Sequence, residues 1–202
     1  MQVEPPLFFA RQQELGLLDT ILDTAIRGQG RVYFVTGEPG SGKTALLAAF
    51  SRRAMQANPE LVVAWGQCSA FTGQGDPYFP FLNILRMLAG EVEIPVSAGI
   101  ITPLHARRLW ASLPETVEAL LEQGQDLFNR FLSSKDLLSL ARLHPGIQPH
   151  LYKRLQAGVK QDAGQPAQAR PQQAALFEQF TRVLCRLAQH HPLVLVVDDL
   201  QW

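Results

Sequence analysis

The run Gly37-Glu38-Pro39-Gly40-Ser41-Gly42-Lys43-Thr44 meets the spacing G-x-x-x-x-G-K-[ST] at every fixed position. The chemistry that this spacing serves is anion binding. Glycines let the backbone turn tightly and approach a ligand with no Cβ in the way, so successive N–H groups converge on phosphate oxygens. Lys43 would then reach the β- and γ-phosphates of a nucleotide, and the Thr44 hydroxyl would ligate Mg²⁺. Gly37, Glu38, Pro39, Gly40, Ser41, Gly42, Lys43, Thr44 and Ala45 are the expected phosphate-contacting residues, with Lys43 also a catalytic group.

A second group lies near the other end. Leu193-Val194-Leu195-Val196-Val197-Asp198-Asp199 is an apolar run ending in two carboxylates, the Walker B pattern. A strand buried on both faces is continuously hydrophobic, and ligands of open parallel sheets bind at the carboxyl ends of the strands. Asp198 is expected to hold Mg²⁺ through its water shell, since this ion keeps several waters. Asp199 is the candidate base, or water-positioning group, for attack on the γ-phosphate.

Other reactive residue types form no such pattern. The five histidines include no H-x-x-x-H pair, and Cys68 and Cys185 are far apart without metal-ligand spacing. Both cysteines are expected as reduced core thiols. Arg107-Arg108 beside Trp110 is expected to be a solvated helix face with a packed tryptophan rather than a stacking platform for bases.

The loop needs a strand before it and a helix after it. Residues 31–36 are β-branched and aromatic and are expected as a buried strand. From Thr44 to about Met55 the residues are good helix formers. Residues 11–27 carry Leu15, Leu18, Leu22, Ala25 and Ile26 at helical spacing, stopped by Gly28-Gln29-Gly30. A second buried strand is expected over 61–65.

Beyond Cys68 the spacing of leucine and phenylalanine is helical. Pro80 suits the first turn of a helix reaching about Leu88, and Thr102-Pro103 starts another. Ser112-Leu113-Pro114-Glu115 has the form of a capping box before Val117, Leu120 and Leu121. Ser133-Ser134-Lys135-Asp136 precedes a further Leu-rich stretch. Residues 158–172, rich in Gly, Gln, Ala and Pro, are expected as a flexible link. A helix over 173–189 would bury Leu176, Phe177, Phe180, Val183, Leu184 and Leu187. A span as long as 68–172 must hold structure of its own, and we expect a helical insertion.

With 202 residues, 47% of them hydrophobic and 18% charged, the chain has the composition of a globular domain. Its formal net charge is zero, which gives no support for wholesale nucleic-acid or anionic-membrane binding. No signal-like segment stands at Met1, and no apolar run is long enough to span a bilayer. A cytoplasmic location is the expectation.

Phe8-Phe9-Ala10-Arg11-Gln12-Gln13-Glu14-Leu15, the phosphate loop, and Leu195-Val196-Val197-Asp198-Asp199-Leu200-Gln201-Trp202 together resemble the STAND-class signal-transduction ATPases, near the origin-recognition-like AAA ATPase domain. Gly66-Gln67-Cys68-Ser69-Ala70, with Asp76-Pro77-Tyr78 and Pro80-Phe81, resembles that family's stretch after its second strand. In the family an F-x-G-R-E-x-E-L box lies against adenine and ribose. The resemblance assigns Arg11 to nucleotide binding, although Ala10 and Gln12 stand where the box has glycine and glutamate. It implies an α/β fold: a P-loop NTPase three-layer sandwich with a parallel sheet in the order 5-1-4-3-2, incomplete at the C-terminus, plus the helical insertion. The expected parts are 1–67 (N-terminal box, loop and second strand), 68–172 (insertion and link) and 173–202 (helix and Walker B strand). Strands four and five, a lid and a sensor would follow Trp202, so the chain is expected to be the N-terminal part of a longer ATPase or the product of a truncated gene.

The expected ligands are ATP and Mg²⁺. The leading function is an ATP-binding module of a signal-transduction or regulatory ATPase, hydrolysing ATP once completed by downstream domains. Protein partners would meet the helical insertion, and oligomers would form only with the full-length protein. A nucleotide-binding interaction protein with little turnover is the alternative, since Asp199 is shorter than glutamate. A P-loop phosphotransferase is weaker, because strand 61–65 does not end in an acceptor-binding motif.

Overall fold

The computed structural model describes residues 11–68, 79–93, 96, 101–162 and 173–200. It divides into two compact units, one up to Leu61 and one from Val62 onward.

The first unit packs two helices, α1 (Gln12–Ile26) and α2 (Lys43–Ala57). Leu15, Leu18 and Leu22 are the buried stripe of α1, and Leu46, Phe50 and Ala54 that of α2. Spacings of three and four residues bring each set onto one side of its helix, where burying each large side chain contributes about 1.5–3 kcal/mol. Arg53 and Asp19 form an ion pair at 2.8 Å between the two helices. Helix α1 ends as its glycines suggest: Gly28 N–H bonds Ala25 O, and Gln29 N–H bonds Thr24 O, the paired closure of a Schellman turn.

The second unit holds a parallel pair, β1 (Val62–Gln67) and β2 (Leu193–Asp198), with Val62 opposite Leu193 and Gln67 opposite Asp198. Between them, among the described residues, run α3 (Phe79–Leu88), α4 (Pro103–Ala111), α5 (Leu113–Gln123), α6 (Gln125–Phe131), α7 (Ser134–Leu143) and α8 (Pro149–Asp162). Helix α9 (Gln173–Ala188) then leads into β2. Among the described residues between β1 and α9 no strand occurs. Val62, Ala64, Ile84, Leu109, Leu113, Val117, Phe128, Val183 and Leu187 belong to one continuous core. No helix of the described residues is long and apolar enough to cross a membrane.

Residues of β1 alternate between the two edges of the strand. Val62 N–H bonds Pro192 O and Cys68 N–H bonds Asp198 O on the β2 side. On the other edge, helices take the place of a strand. The Val63 carbonyl meets His105 Nε2 at 2.6 Å, and Trp65 N–H points to Met87 Sδ at 3.3 Å. The open edge of a sheet is thereby covered.

Several expectations are corrected. Residues 31–36 form no strand, and Val32 and Phe34 are 84% and 70% exposed. Their β propensity is real, but a strand needs a second backbone to pair with, and the described residues of the first unit supply none. The parallel sheet has two strands among the described residues. The capping box at Ser112 is not made. Ser112 alone separates α4 from α5, its φ of −85° and ψ of 3° are not extended, and its hydroxyl donates to Leu109 O instead. Thr102 and Ser133 do cap, accepting from His105 N and Asp136 N. Residues 158–162, expected in the link, continue α8, where Leu151 and Leu155 at helical spacing are buried. Cys185 is exposed on α9 and Cys68 is half-buried, so neither is a core thiol. Phe177 and Leu184 lie partly, not fully, buried on α9. Residues 1–10, 69–78, 94–95, 97–100, 163–172 and 201–202, and with them the start of the N-terminal box, Ser69-Ala70, Asp76-Pro77-Tyr78 and Trp202, lie outside the described residues.

Burial pushes the His105 imidazole below its ordinary value, and the Arg108 charge adds to this, while the bond to Val63 O opposes it. The neutral ring is the one the fold accepts. Stability is therefore greatest above pH of about 6.5 and falls as the solution is acidified, because the unfolded chain then binds the proton more readily. The urea midpoint should drop from pH 7 to 5, and His105→Gln, which keeps an N–H donor, should flatten that dependence. At neutral pH His105→Ala should cost about 1–3 kcal/mol by leaving a buried carbonyl unpaired.

Candidate nucleotide site

In the first unit the run 37–42 turns sharply before α2. Ser41 N–H bonds Glu38 O at 3.1 Å, and Gly40 and Gly42 have φ of 77° and 80°. That left-handed region is costly for any residue with a Cβ, so both glycines are required by the turn itself. Gly42 is the N-cap of α2, and its carbonyl accepts from Leu46 N–H at 2.9 Å. These residues stand at the end of α2 where the helix dipole favours an anion.

Lys43 is the first residue of α2. Its ammonium folds back onto the loop, 3.0 Å from Gly37 O and 3.1 Å from Glu38 O. Thr44 and Ala45 are exposed on the first turn, while the Ser41 hydroxyl is buried with no hydrogen-bond partner. Arg11 is the N-cap of α1, and its guanidinium donates to Ser41 O. Arg11 thus ties the start of α1 to the backbone of the loop. Sequence reasoning placed Arg11 with the nucleotide, and the contact to the loop carbonyl is new.

In the second unit two carboxylates stand at the carboxyl end of the parallel pair. Asp198 closes β2 and is 7% exposed, and its Oδ1 accepts from Asp199 N–H at 3.0 Å. Asp199 has a φ of 58°, uncommon for a residue with a side chain. Its Oδ2 accepts from Gln67 Nε2 at 3.1 Å across 132 residues of sequence. Burial raises the Cys68 thiol above its ordinary value, and the charges of Asp199 and Asp198 add to this. Gln67 was not singled out from sequence. Only the register that sets Gln67 opposite Asp198 reveals that it reaches the acidic pair.

In the first unit a lysine ammonium at a helix start suits phosphate, and in the second a pair of carboxylates offers the oxygen donors that a hard cation prefers. A glycine turn opening a helix, and acidic residues at the ends of parallel strands, mark the P-loop class. The model of the AAA ATPase domain matches residues 7–202, and the chain belongs to that family. It is a nucleotide-binding ATPase module. No curated protein and no solved structure matches the chain.

Gly42→Ala tests the turn. A Cβ at φ of 80° should lower stability by about 1–2 kcal/mol. The urea midpoint should fall accordingly, whereas Gly16→Ala within α1 should raise it through helix propensity.

Proposed function

We propose that this AAA ATPase domain binds Mg-ATP through the loop 37–44 and is the ATP-dependent switch module of a STAND-class signal-transduction or regulatory ATPase. The observation that carries the reading is the Lys43 ammonium, held on Gly37 O and Glu38 O at the amide-rich start of α2. A cation kept over the loop by two carbonyls is preorganised for phosphate oxygens and needs only to exchange partners when they arrive.

In this reading the loop amides of residues 37–45 cradle the phosphates and Lys43 neutralises the β- and γ-oxygens. Thr44 and Asp198 would hold Mg²⁺, Asp198 through water, and the ion would supply further charge neutralisation on the phosphates. Asp199 orients the attacking water and accepts its proton. Arg11 keeps the loop backbone in place through Ser41 O.

A reading with little turnover is favoured by one observation. The Asp199 carboxylate is already engaged by the Gln67 amide, and aspartate reaches less far than glutamate. A carboxylate so occupied is a poorer base until that bond is released. Titration and phosphate release separate the two readings.

Lys43→Ala removes charge-assisted bonds of about 1.5–3 kcal/mol, so Mg-ATP affinity should fall roughly tenfold to a hundredfold in calorimetric titration. Unchanged affinity would mean that the loop does not bind the phosphates. Phosphate release by the parent chain, measured beside Asp199→Asn, tests the role of that carboxylate. A ratio near one removes Asp199 from the chemistry.

A further inference from the structure

Helix α3 meets β1 with no space for a side chain between them. A Cβ on Gly66 would lie 2.1 Å from the Pro80 carbonyl oxygen and 2.7 Å from its carbon. Pro80 is in the first turn of α3, so Gly66 touches the backbone of that helix directly. The edge of β1 away from β2 is gripped twice as well, at Trp65 N–H by Met87 Sδ and at Val63 O by His105 Nε2. The next residue is Gln67, whose amide holds Asp199, and Cys68 N–H then bonds Asp198 O.

We propose that Gly66 is a positioning residue: its backbone contact with Pro80 fixes the end of β1 and, through Gln67, the place of the Asp199 carboxylate. The helical layer is thereby coupled to the acidic pair. Side-chain contacts absorb small shifts by changing rotamer. A backbone-to-backbone contact has no such freedom, so movement of the first turn of α3 passes to Gly66 and on to Gln67. Misplacing a catalytic group by 1 Å can cost about 10²-fold in rate, which gives a small shift a large effect. The consequence for turnover rests on the role proposed above for Asp199; the positional coupling does not.

The test uses the full chain carrying Cys185→Ser, which leaves Cys68 as its one thiol. Gly66→Ala, Gln67→Ala and the double variant are compared for iodoacetamide alkylation of Cys68 at fixed pH, for Mg-ATP affinity and for phosphate release. Gly66→Ala should speed alkylation about fivefold or more, the size expected when local opening becomes easier by about 1 kcal/mol. Phosphate release should change by about tenfold or more while affinity stays within about twofold. The double variant should release phosphate no differently from Gly66→Ala, since both changes act on one contact chain. Merely structural packing would lower the urea midpoint and speed alkylation but leave phosphate release alone. A folded Gly66→Ala with both rates within about twofold of the parent, or additive effects of the two changes, overturns the proposal. Should Gly66→Ala fail to fold, Met87→Leu keeps the volume, removes the sulfur acceptor at Trp65, and is judged by the same alkylation criterion. A parent chain that binds no Mg-ATP refutes the nucleotide-binding reading, and the alkylation comparison still decides whether the Gly66–Pro80 contact fixes the end of β1.

Discussion

The parallel ladder between Val62–Gln67 and Leu193–Asp198 is the constraint on which the second unit depends. It joins segments from opposite ends of that unit. Closing so long a loop is entropically costly, and the cost grows slowly with length, so the intervening chain can be large if it pays its own way by burial. The helices α3 to α9 do so, building the continuous core of which Val62 and Ala64 are part. The strand lies within that core and is itself held by it.

Edge chemistry explains the arrangement around β1. A parallel strand directs alternate residues to opposite edges, and each buried N–H and C=O must find a partner. One edge is satisfied by β2. The other is met by a histidine and a methionine from two helices, which closes β1 against a further strand and makes the helical layer part of the sheet's hydrogen bonding. Gly66 extends this economy, because omitting one Cβ allows a helix backbone to rest on the strand.

The two groups of polar residues are built on different physics. The loop 37–42 depends on conformation: two glycines in the left-handed region, a lysine folded onto carbonyls, and Arg11 fastening the backbone. The acidic pair depends on register, since Gln67 reaches Asp199 only because the ladder sets it opposite Asp198. Substitution in the loop acts through local backbone strain, whereas change in the helices reaches Asp199 through the strand.

The sequence by itself determined the phosphate-loop pattern and most of the helices. Lys43, Thr44 and the glycines announce a phosphate loop by spacing alone, and the stripes Leu15-Leu18-Leu22 and Leu176-Phe180-Val183-Leu187 follow from the helical period. Such signals are local: each residue's neighbours in sequence are its neighbours in space. Pairing and capping were decided only by tertiary structure. Residues 31–36 have the composition of a strand, yet composition cannot supply a partner, and the segment stays unpaired. Ser112 has the spacing of a cap, but the short junction between α4 and α5 turns its hydroxyl to Leu109. The contacts of Gln67 with Asp199, His105 with Val63 and Gly66 with Pro80 join residues distant in the chain. No periodicity records them, because they exist only once the ladder and the helical core have fixed where each backbone lies.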